Sequence, residues 1–340
     1  MSKSEIKNTI YELLSPGKGL LAADESFKTI KKRLEAVGVE STQESRCAYR
    51  EMLFGTPGIE NYISGVILYD ETIRQQDSSG RFLRDVLTGK GIIPGIKVDT
   101  GTADMPMLAG EKLTGGLDGL RDRLVEYRDL GARFTKWRAA ISIGDGIPTH
   151  ACIDANAQML AEYAALVQDV GLVPIVEPEV LMDGGHDIAR CEEVTRMVLR
   201  SVFAHLLDRR VALDSILLKP NMILPGKDCS RQVSDGEVAD RTITLFKEVV
   251  PAAVPGIVFL SGGQDAVLAT QRLNTIAQTS GLPWKVTFSF ARALQGPALD
   301  IWRGNASNVA EAQRVFLKRA MCNGAASRGQ YSGEMEQIAA

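Results

Sequence analysis

The sequence predicts an α/β fold of the (β/α)8 type, the TIM barrel, and three observations lead to this prediction. Eight short apolar runs follow one another along the 340 residues, and several are rich in Val and Ile. Such runs are typical of parallel strands that are buried on both faces. Amphipathic stretches with helical spacing separate them. The alternative is an open, doubly wound sheet, which is disfavoured because no GxGxxG turn follows the first run.

The predicted strands recur at a regular interval. In chain order they occupy 19–24, 65–69, 92–99, 134–138, 173–179, 215–219, 256–261 and 284–292. Residues at or just past the ends of five successive runs are 39 to 42 positions apart: Lys97, Lys136, Glu177, Lys219 and Ser261. This interval is the length of one strand–helix unit, and eight such units close a barrel.

The helices and the domain organisation follow the same pattern. Amphipathic helices are predicted at about 155–170 and 188–207, and an additional N-terminal helix at about 5–14 ends at a Ser-Pro-Gly turn. We expect a single domain over 1–340. Its barrel runs from about 17 to 325, and a short C-terminal tail follows from about 326 to 340.

Composition and charge exclude several classes of function. The net charge of −3 and the pI of about 5.8 give no general attraction to nucleic acid or acidic membranes. Five scattered cysteines without a CxxC pair indicate reduced thiols. The N-terminus lacks an apolar signal core, and the longest apolar stretch is broken by prolines. We therefore expect a cytoplasmic protein that binds neither nucleic acid nor membrane.

Charged residues collect at the ends of the predicted strands, where barrels of this type place their active sites. In three strands two charged residues stand two positions apart, so both side chains lie on one side. One such pair alone fits a salt-bridged barrel rim equally well. Together they indicate a shared pocket, because buried charge is costly unless it is paired or used. The pairs are Lys97 with Asp99, Lys136 with Arg138, and Glu177 with Glu179.

Lys219 is the leading candidate nucleophile. It ends an apolar run, directly before a proline. A lysine in a dry site near a second ammonium, such as Lys136, should have a lowered pKa, so that its free amine can attack a ketone. A structural lysine paired with Glu177 or Glu179 is an equally good interpretation of the spacing. Lys136 and Lys97 remain rival nucleophiles.

Candidate residues for proton transfer and for anion binding also lie at or near the predicted strand ends. Asp24, Glu177 and Glu179 are the candidate acids and bases, although Asp24 or Glu25 alternatively caps a helix near Thr29. Ser261-Gly262-Gly263 with Arg292 predicts a phosphate site after the last two strands. Lys32, Arg33 and Arg46 belong to basic runs that are typical of a solvated helix face. Alternatively, Lys32 or Arg33 forms a second phosphate site with Lys97 and Arg138. Three histidines without ligand spacing indicate no metal site.

Seven segments closely resemble the class I, Schiff-base-forming fructose-bisphosphate aldolases, in the same order as in that family. They are GLLAADES (19–26), GIKVDTG (95–101), FTKWRA (134–139), VPIVEPEVL (173–181), LLKPNMILPG (217–226), FLSGGQ (259–264) and TFSFARALQ (287–295). The resemblance covers about 5–325. It implies reversible, metal-independent and cofactor-free cleavage of a phosphorylated sugar, fructose 1,6-bisphosphate, in glycolysis and gluconeogenesis. It also implies a homotetramer.

The resemblance also implies roles for individual residues. Lys219 matches the Schiff-base lysine. Glu177, with Glu179 beside it, matches the general acid and base, Asp24 matches the aspartate that assists carbon–carbon cleavage, and Lys136 supports charge on the substrate. The matches at the ketone-end phosphate are Ser261, Gly262, Gly263, Ser289, Ala291 and Arg292. Those near the other phosphate are Lys97, Arg138, Lys32, Arg33 and Arg46.

Three departures from the family pattern leave questions open. Phe27-Lys28 replaces a small pair near the distal phosphate, Ala291 replaces a glycine, which should make that turn less permissive, and Tyr331 is not terminal. A sibling aldolase acting on fructose 1-phosphate, sedoheptulose bisphosphate or another ketose phosphate is therefore an alternative. A scaffold protein that retained the barrel but lost its activity is a second alternative.

Overall fold

The computed structural model describes residues 3–231 and 233–337 and confirms the predicted (β/α)8 barrel. Its strands are β1 (Gly19–Ala23), β2 (Ile63–Leu68), β3 (Ile93–Lys97), β4 (Gly101–Asp104), β5 (Lys112–Gly115), β6 (Phe134–Ile141), β7 (Val173–Val180), β8 (Leu217–Leu218), β9 (Gly256–Phe259) and β10 (Lys285–Phe290). All except β4 and β5 pair in parallel and close in the order β1-β10-β9-β8-β7-β6-β3-β2. Each predicted apolar run therefore overlaps one barrel strand.

Helices surround the barrel. They are α1 (Lys3–Leu13), α2 (Phe27–Ala36), α3 (Gln43–Gly55), α4 (Asp70–Arg74), α5 (Leu83–Gly89), α6 (Leu120–Asp129), α7 (His150–Val170), α8 (Ile188–Asp208), α9 (Asp235–Val249), α10 (Ala266–Ala277), α11 (Arg292–Trp302) and α12 (Val309–Ala326). The three predicted helices are confirmed as α1, α7 and α8. No helix within the described residues has the length and hydropathy needed to cross a bilayer.

The sequence did not predict a hairpin that lies outside the barrel, or how the C-terminal tail packs. The antiparallel hairpin of β4 and β5 was not predicted, because β4 is mostly exposed and lacks a buried apolar face. The predicted tail packs on the outside, where Tyr331 N–H donates to Asn274 Oδ1 (2.9 Å) and its hydroxyl donates to Glu336 Oε1 (2.9 Å). Residues 338–340 of the predicted tail lie outside the described part.

Helix α1 covers the N-terminal end of the barrel. Its apolar residues share one buried cluster with the inward-facing side chains of the strands. Glycines let it approach closely, since a Cβ on Gly65 would lie 2.7 Å from Leu13 Cδ2, and one on Gly256 would lie 2.5 Å from Leu14 Cδ2. The Ser64 hydroxyl donates to the Leu13 carbonyl at 2.7 Å. This end is therefore sealed, and the opposite end remains for the functional site.

The barrel interior depends on one aromatic ring fitting against a glycine. Phe134 is fully buried, and its ring occupies the space where a Cβ on Gly95 would project. Close-packed interiors tolerate added atoms poorly, because the neighbours must leave their preferred rotamers or shift the backbone. Gly95 is therefore required for packing rather than for a special backbone angle.

Gly95→Ala should lower the free energy of unfolding by about 1–3 kcal/mol, because Phe134 must move. Urea denaturation monitored by circular dichroism measures this change. Gly89→Ala is the matched control, since nothing lies within 4 Å of its added Cβ at the end of α5, and its stability should be unchanged or slightly higher. Equal stabilities for the Gly95→Ala variant and the wild type would contradict this packing.

Candidate active site

A buried ammonium surrounded by carboxylates lies at the C-terminal end of the barrel. Lys136 Nζ, on β6, lies 2.7 Å from Asp24 Oδ2, 3.3 Å from Glu177 Oε2 and 3.8 Å from Asp99 Oδ2. Burial alone would lower the pKa of Lys136, but the charges of Asp24, Glu177 and Asp99 raise it well above its usual value. Lys136 is therefore held protonated.

Lys219 lies next to this cluster and shares one of its carboxylates. Its side chain is 4% exposed, and its Nζ lies 3.2 Å from Glu177 Oε1. The position is fixed by a backbone hydrogen bond from Lys219 N–H to the Val176 carbonyl (2.8 Å), which continues the β7–β8 pairing by one residue. The Glu177 carboxylate thus bridges two lysines, Lys136 through one oxygen and Lys219 through the other.

The charges of this cluster keep two of its carboxylates, Glu177 and Asp24, ionised. Burial would raise the pKa of Glu177, but Lys136, Lys219 and Arg138 lower it overall. Burial opposes ionisation of Asp24 too, and there Lys136, Lys219 and Lys97 hold the pKa well below its usual range. The site therefore holds two ionised carboxylates beside the protonated Lys136.

The other predicted pairs of charged residues also lie at this end of the barrel. Lys97 Nζ lies 3.2 Å from Asp99 Oδ1, and Asp99 also accepts the Arg138 backbone N–H at 3.2 Å. Glu179 pairs with the Arg138 side chain, so its partner is a guanidinium rather than Lys219. Asp99 contacts two predicted site lysines. The sequence placed Asp99 with Lys97 in the shared pocket but did not predict its contact with Lys136.

A cradle for an anion forms after β9 and β10. Gly262 (φ 60°) and Gly263 (φ 88°) adopt left-handed backbone angles that favour glycine, and a Cβ on Gly263 would lie 2.8 Å from Arg292 Nη2. The Ser289 hydroxyl is buried and has no hydrogen-bond partner within the described residues. Ala291 has a φ of −106°, outside the left-handed region that favours glycine, so this angle does not itself call for a glycine at the turn.

Ser261 precedes these glycines, and a network that sequence reasoning missed supports its loop. Gln264 Nε2 donates to the Ser261 carbonyl at 2.9 Å, and Arg272 Nη1 donates to Gln264 Oε1 at 2.9 Å. Arg272 is nearly buried and also contacts Asp235 Oδ1 at 3.2 Å. No apolar period or motif signals such a network, because it joins three separate elements.

The second basic group is only partly available to an anion. Lys32 is exposed on α2. Arg46 on α3 donates to Glu71 through two nitrogens (2.6 and 2.8 Å), and its guanidinium lies 4.9 Å from the centre of the Phe27 ring. Phe27 also meets Tyr69 edge to face at 5.3 Å. Phe27, which departs from the family pattern, therefore packs against Arg46, a residue that is predicted to lie near the distal phosphate.

Glu25 is the centre of a second buried charge network. Its carboxylate pairs with Arg33 and Arg50 and accepts Gln295 Nε2 at 2.8 Å. The N-cap residue of α2 is Ser26, so the alternative in which Asp24 or Glu25 caps this helix was wrong. Burial raises the pKa of Glu25, but Arg50 and Arg33 lower it overall. Glu25 therefore fixes Arg33, a predicted substrate-binding residue.

Glu25→Gln should cost about 3–5 kcal/mol of unfolding free energy at pH 7, because Arg50 loses its buried counter-charge. A carboxylate whose pKa is lowered by folding stabilises the folded state at pH values above its unfolded pKa of about 4.3. This stabilisation is lost as the pH falls. The difference between variant and wild type should therefore shrink below about pH 4. Urea denaturation across this range tests it. Glu35→Gln, an exposed change on α2, is the control, and equal effects of the two changes would contradict the network.

The comparisons with known proteins agree with this geometry. The family model "Fructose-bisphosphate aldolase class-I" matches residues 5–340. A "Probable fructose-bisphosphate aldolase class 1" of Xanthomonas axonopodis pv. citri is 50% identical, covering 98% of this chain and 100% of the relative. "Fructose-bisphosphate aldolase 4, cytosolic" of Arabidopsis thaliana is 48% identical, covering 97% of this chain and 84% of the relative.

A solved structure shows the same fold. It is the fructose-bisphosphate aldolase of Plasmodium falciparum, crystallised in complex with TRAP and a small-molecule inhibitor. Its TM-score is 0.95 at 45% identity, and the match covers 97% of this chain and 96% of that one. The family model and the relatives cover nearly the whole chain. The chain belongs to the class I fructose-bisphosphate aldolase family.

Proposed function

We propose that this aldolase cleaves fructose 1,6-bisphosphate reversibly to dihydroxyacetone phosphate and glyceraldehyde 3-phosphate, with Lys219 as the Schiff-base nucleophile. The observation that carries the assignment is the difference between two neighbouring lysines. Lys136 faces three carboxylates within 4 Å, whereas Lys219 faces Glu177 alone among the described residues. An amine attacks a ketone only when it is unprotonated, so Lys136 is the poorer nucleophile.

The contact between Lys219 and Glu177 provides the first proton transfer. When Glu177 takes a proton from Lys219 across their 3.2 Å contact, one step yields both a free amine and a carboxylic acid. The amine attacks the ketone and forms a carbinolamine. Glu177 then returns its proton to the carbinolamine hydroxyl, water leaves, and a protonated imine forms on Lys219.

The protonated imine acts as the electron sink for carbon–carbon cleavage. Glu177, now ionised again, or Asp24 takes the proton of the C4 hydroxyl. The C3–C4 bond breaks, its electrons move to the imine nitrogen, and glyceraldehyde 3-phosphate leaves an enamine behind. Reprotonation at carbon and hydrolysis release dihydroxyacetone phosphate and the free lysine. Lys136, held protonated, stabilises negative charge on the substrate oxygens.

The two ends of the substrate are bound by the predicted phosphate sites. The loop of Ser261, Gly262 and Gly263, with Ser289, the Ala291 N–H and Arg292, takes the ketone-end phosphate. The opposite phosphate is assigned to a group of basic residues: Lys32, Arg33, Arg46, Lys97 and Arg138. Of these, Arg46 must loosen its pair with Glu71 before it can contribute. Glu179 orients Arg138.

The oligomeric state and the cellular location of the protein are proposed from its similarity to the family and to one relative. The similarity to the plant relative named cytosolic supports a cytoplasmic location. The homotetramer follows from the family resemblance. A single domain over 1–340 is supported by the closed barrel and by the family match over 5–340.

Lys219→Arg should lower kcat for fructose 1,6-bisphosphate cleavage by about a thousandfold or more, because a guanidinium keeps the charge but cannot form the imine. A coupled dehydrogenase assay measures this. The matched control is Lys285→Arg, an exposed change at the first residue of β10, which should keep wild-type activity. Wild-type turnover should persist in EDTA. Full activity of the Lys219→Arg variant, or loss of wild-type turnover in EDTA, would contradict the proposal.

A further inference from the structure

Two loops that follow neighbouring strands are joined beside the predicted ketone-end phosphate site. Lys227 N–H, beyond β8, donates to the Met182 carbonyl beyond β7 at 2.7 Å. Asp228 N–H donates to the Gly184 carbonyl at 3.0 Å. Met182 also reaches the glycine loop, since its Sδ lies 3.9 Å from the Cβ position of Gly262. The backbone of Lys227 is therefore fixed close to the anion cradle.

The Lys227 side chain runs over that cradle. A Cβ on Gly263 would lie 3.4 Å from Lys227 Cε and 2.8 Å from Arg292 Nη2. The lysine stem and the guanidinium therefore flank the same point of the glycine loop. The Arg292 guanidinium has neither a hydrogen bond nor an ion pair with any residue that the structure describes. Two cations thus border the position where a phosphate would meet the loop amides.

The present partner of Lys227 is easily exchanged. Its Nζ lies 2.6 Å from Asp183 Oδ1, but the side chains of Lys227 and Asp183 are 42% and 66% exposed. Exposed ion pairs contribute little to stability, because water solvates the separated charges well. Burial and the charge of Arg33 lower the pKa of Arg292, whereas the charges of Glu179 and Asp183 oppose this shift.

A phosphate ester carries about −1.5 to −2 charges at neutral pH, so the single charge of Arg292 does not balance it. Lysine binds phosphate as a mobile point charge, whereas arginine supplies a rigid fork. We infer that Lys227 is a further substrate-binding residue, whose ammonium leaves Asp183 for the ketone-end phosphate when substrate enters. This inference rests on the proposed function and adds a residue to its phosphate site.

Lys227→Met should weaken binding of inorganic phosphate about tenfold, because one charge-assisted contact is lost. Isothermal titration calorimetry measures this without turnover. The KM for fructose 1,6-bisphosphate should rise about fivefold or more, while kcat stays within about twofold. Lys285→Met removes the same charge at the other end of the barrel and controls for long-range electrostatics. Unchanged phosphate affinity and KM in Lys227→Met would overturn the inference.

Two further variants test the exchange itself. Asp183→Asn releases Lys227 and should bind phosphate as tightly as the wild type or more tightly, and weaker binding would contradict the exchange. Lys227→Arg keeps the charge and should restore most of the affinity. The two proposals fail separately. A wild-type enzyme that cleaves no fructose 1,6-bisphosphate refutes the proposed function, whereas normal cleavage with an unaltered Lys227→Met variant refutes only the role of Lys227.

Discussion

The ammonium of Lys136, held among three carboxylates, is the interaction on which the rest of the site depends. Asp24 follows β1, Asp99 follows β3 and Glu177 lies on β7, so one buried charge ties together the ends of strands that are distant in sequence. A buried charge without partners would be costly, and here Lys136 has three close carboxylates, of which Asp99 and Glu177 are buried. Their mutual pairing makes the cluster tolerable and fixes its geometry.

The barrel provides the surroundings that make this cluster chemically useful. Parallel strands bring their C-terminal ends to one side, and the end of α1 closes the other side through Leu13 and the following Leu14. The apolar interior, which includes Phe134, limits the access of water from below, so the charges above it are weakly screened. In such surroundings the close carboxylates distinguish Lys136, which three of them keep protonated, from its neighbour Lys219, which pairs with Glu177.

The sequence predicted the strands well because barrel strands are buried on both faces and therefore appear as apolar runs. It also predicted the charged strand ends, since residues two apart in a strand share a side. It offered Glu177 as one possible partner of Lys219, but it did not predict many of the other ion pairs, because these contacts join distant positions. Examples are Glu25 with Arg50 and Lys227 with Asp183. The hairpin of β4 and β5 was not predicted either, because β4 buries no apolar face.

The central claim is that the lysine beside Glu177 alone, and not the one among three carboxylates, forms the covalent intermediate. The most direct measurement is borohydride reduction in the presence of dihydroxyacetone phosphate, followed by mass-spectrometric mapping of the modified peptide. A single stable adduct on Lys219 is the expected result. An adduct on Lys136 or Lys97, with Lys219 unmodified, would contradict the claim.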